Sequence, residues 1–306
     1  MTDYDKLIKH LSSLATEQIN PDTLDIDRLQ ALEIVRKINS EDEKVAGIVK
    51  RALPQISAVA ETFAATLKQG GRVFYIGAGT SGRLGVLDAA ECPPTFGTDP
   101  NKIIGLISGG HATLVLSKEG AEDDYKAAIN DLQHHQLTKK DMVIGLAASV
   151  RTPYTLAGLE HALNLGAATA CIICNDRTDF PLDVDVVIPL PVGPEVITGS
   201  TRMKSATAQK MTLNMISTTA MILLGKTCGN LMVDLQARSE KLAARSRKIL
   251  MDLLEIDLDL ADDLLAHADG SVKIAIVMYN LNCDKAEAQI RLEKADGFIT
   301  KCLSER

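Results

Sequence analysis

A doubly wound α/β domain with a parallel sheet, followed by a small all-helical C-terminal domain, is the fold class this sequence predicts. Three observations carry it. Short, continuously apolar runs recur at residues 73–76, 103–107, 142–146 and 169–173, the pattern of strands buried on both faces. Helical periodicity fills the intervals at about 82–92, 118–132 and 153–165, giving a β-α-β-α-β-α-β order. Beyond about residue 240 strand patterns vanish and only short helical patterns remain.

The elements follow in order. Residues 1–39 are polar and mixed, with Pro21 and two short helical pieces, and read as an arm laid over something larger. Ser40-Glu41-Asp42-Glu43 has the form of a capping box, which predicts a helix start there. The apolar positions Val45, Ile48, Val49, Leu53, Ile56, Val59, Phe63 and Leu67 keep helical spacing as far as Gly70-Gly71, with a break or kink expected at Pro54. After the four strands, residues 186–188 add a last one, and 202–224 form a long apolar helix that one sheet could hardly bury, which predicts a homodimer interface. Helices at 241–254, 257–267 and 271–280 follow, then a fourth from the Asp284-to-Glu287 box to the C-terminus. Asp257, Asp259, Asp262 and Asp263 make this appendage acidic, which suits structural or dimer packing rather than helix-turn-helix reading of DNA. The expected division is therefore 1–39, 40–239 and 240–306.

Composition narrows the function classes. A chain of 306 residues exceeds the usual size of one core, and 46% hydrophobic with 24% charged residues excludes disordered and low-complexity classes. The net charge of -7 disfavours nucleic acid and favours small-molecule partners, an anionic substrate included, because helix-start N–H groups attract phosphate whatever the net charge. With no leader pattern and no bilayer-length apolar run, a cytoplasmic protein without membrane partners is expected. Of six cysteines only Cys171 and Cys174 have a motif spacing, and in a strand residues three apart face opposite sides, so core packing is expected there and not a shared zinc. The histidines form no ligand pattern, and no metal or cofactor is expected.

Two loops could cradle a phosphate. Gly77-Ala78-Gly79-Thr80-Ser81-Gly82 follows the first strand and opens a helix, formally matching the dinucleotide fingerprint. The acidic residue that would hold a ribose is missing, since the second strand ends in Ser108-Gly109-Gly110 and Asp99 precedes that strand. The third strand ends in Ala147-Ala148-Ser149-Val150-Arg151-Thr152-Pro153, again with hydroxyls before a helix. Gly79, Thr80, Ser81, Ser149 and Thr152 thus suit one compact phosphate, while helix capping is the competing use of the same hydroxyls.

The segment from Gly77 through Glu91-Cys92-Pro93-Pro94-Thr95-Phe96-Gly97 resembles the signature of the N-acetylmuramic acid 6-phosphate etherase family, in the sugar isomerase (SIS) domain superfamily. Glu119-Gly120-Ala121-Glu122-Asp123, Thr198-Gly199-Ser200-Thr201-Arg202-Met203-Lys204 and Gly229-Asn230-Leu231-Met232-Val233-Asp234 are similar to further family motifs, and the likeness spans nearly the whole chain. Val150 departs from the family's usual glycine, while Ser149, Arg151 and Thr152 match.

The resemblance implies an SIS-type, flavodoxin-like sheet, no metal or cofactor, and a carbon-oxygen lyase acting on an amino-sugar phosphate. The implied reaction, in amino-sugar catabolism and peptidoglycan recycling, splits the D-lactyl ether at carbon 3 to give N-acetylglucosamine 6-phosphate and D-lactate. It assigns Glu91 and Glu122 to the chemistry. Helix ends then suggest a division: Glu91 near a helix end stopped by Pro93-Pro94, in an apolar setting, as general acid, and Glu122 in the first turns of the next helix as general base. Arg83, Arg202 and Lys204 are motif cations that could meet the phosphate or the lactate carboxylate, or form surface or interface pairs. A non-catalytic sugar-phosphate regulator of the same superfamily is the alternative, and an aldose-ketose isomerase a further one. A nicotinamide-dependent dehydrogenase trails for want of the ribose acid.

Overall fold

The computed structural model of the chain describes residues 14–149, 152–235 and 239–304, with positions 5, 8 and 12 before them. Two compact units emerge: residues up to Ala89 with Ile103–Ile216, and Ala90–Lys102 with the chain from Ser217 onward.

The first unit holds a five-stranded parallel sheet of β1 (Val73–Gly77), β2 (Ile103–Ile107), β3 (Met142–Ala147), β4 (Ala168–Ile173) and β5 (Val186–Pro189), in the order β2-β1-β3-β4-β5. This is the flavodoxin-like doubly wound order, and its direction reverses between β1 and β3, where such sheets bind ligands beyond the strand C-termini. Every residue of β1 and β3 is buried, which is why both read as unbroken apolar runs. The helices are α1 (Ala31–Arg51), α2 (Leu53–Lys68), α3 (Gly79–Phe96), α4 (Tyr125–His134), α5 (Pro153–Leu165) and α6 (Lys204–Leu223), α3 and α6 each running on into the second unit.

Alternation along β1 sorts the layers. Phe74 and Ile76 join Val143, Cys171 and Ile173 in a core closed by Leu132 of α4 and Leu159 and Ala162 of α5. Tyr75 faces the opposite side, its ring 6.4 Å from Phe63 of α2 and its hydroxyl donating to Asp88 Oδ2 of α3 at 2.8 Å. Below the sheet, Asp141 accepts from the backbone N–H groups of Arg72 and Thr138, both at 2.8 Å, and from Arg72 Nη2 at 2.8 Å, tying the starts of β1 and β3 together. Burial pushes its carboxyl up, but Arg72 and these backbone donors outweigh that and hold it below its ordinary range.

Two helix expectations are corrected here. Helix α1 starts at Ala31, where Glu33 accepts from the Gln30 backbone N–H at 3.1 Å, so Ser40-Glu41-Asp42-Glu43 is helix interior. The cause is that residues 31–39 are good helix formers, and Glu41 is used elsewhere, in a buried pair with Lys204. Helix α3 does not stop at Pro93-Pro94 but ends at Gly97, φ +64°. Proline loses its donor yet keeps its carbonyl, and Gly97 N–H donates to Pro93 O at 3.0 Å to close the last turn. The break near Pro54 occurs as expected, with Ala52 separating α1 from α2.

Several apolar residues of α6, among them Leu213, Ile216, Ala220 and Met221, are buried within the single chain, while Ile222 and Leu223 are exposed. In the second unit a short hairpin, β6 (Thr227–Cys228) with β7 (Leu231–Met232), turns at Gly229-Asn230, a feature the sequence reading did not anticipate. Helices α7 (Glu240–Leu254), α8 (Leu258–His267), α9 (Val272–Leu281), α10 (Lys285–Lys294) and α11 (Ile299–Ser304) follow. Leu250, Ala261, Val272, Ala275, Ile276, Val277, Ala288 and Ile299 close their core. The expected fourth helix is thus two, parted where Asp296 and Gly297 take positive φ. Among the described residues no helix is long and apolar enough to cross a membrane.

Candidate active site

Beyond the C-terminal ends of β1 and β3 lies a cavity of about 260 Å³, lined by Ala78, Gly79, Thr80, Ser81, Ala148, Ser149, Thr152, Gly199, Thr201, Glu17 and Glu122. It sits at the reversal of strand order, where two βα loops diverge and leave helix starts facing one space. The close approach of α3 to the sheet is a glycine effect: a Cβ at Gly82 would stand 2.6 Å from Gly77 O and 2.7 Å from Ile107 Cγ1.

The hydroxyls of Thr80, Ser81, Ser149, Thr152 and Thr201 have no hydrogen-bond partner among the described residues. Thr152 is the N-cap residue of α5, yet its side chain makes no cap hydrogen bond. Helix capping therefore does not consume it, and the cavity wall presents free hydroxyls together with the N-termini of α3 and α5, a setting for one compact anion. Val150 and Arg151 of the second loop lie outside the described residues.

Glu122 stands in a single turn of 3-10 helix, Ala121–Asp123, just before α4 and not within it. Asp124 takes the cap position, accepting from Ala127 N–H at 3.0 Å. The sequence placed Glu122 in the helix because its acidic neighbours look like a first turn; Asp124 has claimed that start. Glu122 also borders a second cavity of about 180 Å³ with Gly79, Arg83, Ser108, Thr113, Ser117, Lys118 and Glu119.

Glu91 belongs to the second unit, in the last turns of α3, and its side chain is exposed. The apolar setting expected for it is not present. The motif cations are mostly engaged: Arg83 donates to Thr113 O at 2.6 Å and Leu114 O at 3.1 Å, holding the turn after β2, and Lys204 is buried against Glu41. Arg202 is exposed. Cys171 and Cys174 are fully buried; burial pushes both thiols up, Cys174 to about 12, as inert core cysteines.

One lining residue escaped the sequence reading. Glu17 comes from the N-terminal arm, in a turn at Ala15–Glu17 with no helical or strand periodicity around it. Its Thr16-Glu17 position relative to Asn20-Pro21 offered no local signal of a site.

An etherase of Erwinia tasmaniensis named N-acetylmuramic acid 6-phosphate etherase is 51% identical over 293 residues, covering 96% of each chain. The protein of that name from Clostridium beijerinckii is 48% identical over 296 residues and 97% of each chain. The chain belongs to the N-acetylmuramic acid 6-phosphate etherase family. Within it, residues 55–163 match the glucokinase regulatory protein N-terminal SIS domain, the stretch that carries β1 to β3 and the loops of Thr80-Ser81 and Ser149 of this etherase-family chain. Among solved structures, a phosphoheptose isomerase from Francisella tularensis aligns with a TM-score of 0.45 at 13% identity, over 63% of this family member and 98% of that chain.

Proposed function

We propose that the chain cleaves the D-lactyl ether of N-acetylmuramic acid 6-phosphate, releasing D-lactate and N-acetylglucosamine 6-phosphate. The observation that carries this is the identity of about half the residues, over nearly full length, with proteins named for that etherase. The free hydroxyls of Thr80, Ser81, Ser149 and Thr152, with Gly79, receive the 6-phosphate against the starts of α3 and α5.

The chemistry is elimination followed by hydration. In the open-chain sugar the proton on carbon 2 lies beside the aldehyde and is acidic. Glu122 removes it, the bond from carbon 3 to the lactyl oxygen breaks, and Glu91 protonates that oxygen as D-lactate departs. Water then adds to carbon 3 of the unsaturated aldehyde while carbon 2 regains a proton. Glu122 lines the cavity in the turn that precedes α4, and Glu91 lies in the last turns of α3. The reading extends to a cytoplasmic homodimer serving amino-sugar catabolism and cell-wall recycling, with the arm 1–39 and the helical domain 240–306 flanking the sugar-phosphate domain.

A second reading, a non-catalytic sugar-phosphate regulator, is favoured by the match of residues 55–163 to a regulatory protein's SIS domain. Incubating purified protein with N-acetylmuramic acid 6-phosphate decides between them. The etherase gives D-lactate and N-acetylglucosamine 6-phosphate in equal amounts; a ligand-induced rise in melting temperature with no lactate selects the regulator.

A further inference from the structure

The arm that carries Glu17 is bolted to the strand ends of the first unit. Leu14 is buried in the sheet core, and Ala15 N–H donates to Asn175 Oδ1 at 3.0 Å. Asn175, itself fully buried, donates through Nδ2 to Ala148 O at 3.0 Å and to Thr16 Oγ1 at 3.4 Å. Further along, Thr23 Oγ1 donates to Val196 O at 2.9 Å. One asparagine thus fastens the arm to the same loop that presents Ser149, and the backbone of Glu17 is fixed at the cavity wall. Its side chain is half-buried, and a Cβ on Gly199 would stand 3.1 Å from its Oε2. Among the described residues that carboxylate has no hydrogen bond and no ion pair.

An ionised carboxylate only accepts hydrogen bonds, so an unpartnered one in a cavity of free hydroxyls selects a ligand face that donates. A phosphate oxyanion offers no donor and would be repelled. Sugar hydroxyls do donate, and in an open-chain sugar 6-phosphate those on carbons 4 and 5 lie between the phosphate and the reacting carbons.

We infer that Glu17 is a substrate-binding residue whose carboxylate accepts hydrogen bonds from these sugar hydroxyls while the phosphate lies against Thr80, Ser81, Ser149 and Thr152. The inference rests on the sugar-phosphate reading of the cavity, and it gives the N-terminal arm a role in choosing a sugar phosphate over a bare anion.

Titration calorimetry with two probes, N-acetylglucosamine 6-phosphate and inorganic phosphate, tests it on the full chain. Glu17→Gln should weaken the sugar phosphate about tenfold or more and leave inorganic phosphate within about twofold, since a charge-assisted hydrogen bond is lost on one ligand only. Glu17→Asp, which keeps the charge on a shorter stem, should recover part of the loss. Unchanged affinity for the sugar phosphate in Glu17→Gln overturns the inference. So does an equal loss for both probes, which would make Glu17 a support for the phosphate loops. Wild-type protein that binds the sugar phosphate but releases no D-lactate removes the proposed reaction and leaves the Glu17 comparison intact.

Discussion

Glu122 and Glu91 bear the same carboxyl group, and only their places, one in the turn before α4 and the other in the last turns of α3, distinguish their proposed tasks. General acid-base groups typically contribute about 10²–10⁴-fold, so each single loss should be large. Glu122→Gln is expected to abolish carbon-2 proton exchange in heavy water, followed by NMR. Glu91→Gln should slow lactate departure by that factor while exchange stays measurable; equal exchange in both variants contradicts the division. Burial gives Lys204 a different fate from the one its motif suggested, since with Glu41 it forms a pair 2% and 4% exposed. Burial pushes Glu41 up, but the hydrogen bonds from Lys204 and Lys44 outweigh this and hold it below its usual range. Its contribution to stability is therefore present above the unfolded-state pKa and fades as pH falls through the folded one. Lys204→Met should cost about 3–5 kcal/mol in urea unfolding at neutral pH, and less in acid. An effect independent of pH would show that the pair is not the cause. At this scale the cavity-lining Thr80, Ser81, Ser149 and Thr152 were legible because they follow apolar runs and precede helices. Glu17 and the Lys204–Glu41 pair were not, because Asn175 and Glu41 meet their partners across more than a hundred and fifty residues, beyond any local pattern.

Elements were read from periodicity, and they succeed or fail by how local their causes are. The helix at 153–165 and the strand at 103–107 appear with the expected bounds, each fixed by a proline start or an unbroken apolar run. Ser40-Glu41-Asp42-Glu43 misled because a capping box is only a start signal when the preceding residues are poor helix formers, and 31–39 are not. Pro93-Pro94 misled for a different reason: each proline forfeits the bond its N–H would give to the carbonyl four residues back, but its own carbonyl still accepts, and Gly97 N–H closes the last turn on Pro93 O. Helix α3 brings Thr80 and Ser81 to the cavity only because Gly82 lets it press on β1 and Ile107. Gly82→Ala would drive a Cβ into the Gly77 carbonyl, so a loss of about 1–3 kcal/mol of stability and a raised KM are expected. Unchanged denaturation and kinetics would show that α3 stands off the sheet.

On the scale of the whole molecule, a net charge of -7 is compatible with the proposed anion-binding cavity, because the attraction would come from local hydroxyls and helix N-termini. The alternation of strand and helix patterns predicted a doubly wound parallel sheet and the family resemblance its flavodoxin-like type, while the cavity's place at the reversal of the β2-β1-β3-β4-β5 order is seen only in the structure. Sugar-phosphate binding alone would stabilise the fold by about 2.7 kcal/mol at a hundred times Kd, seen as a higher melting temperature, for catalyst and regulator alike. Chemistry separates them. The decisive measurement is to run the reaction on N-acetylmuramic acid 6-phosphate in heavy-oxygen water and weigh both products by mass spectrometry. Elimination and hydration predict the heavy oxygen in N-acetylglucosamine 6-phosphate, with unlabelled D-lactate. Label in the lactate, or no lactate at all, would contradict the account.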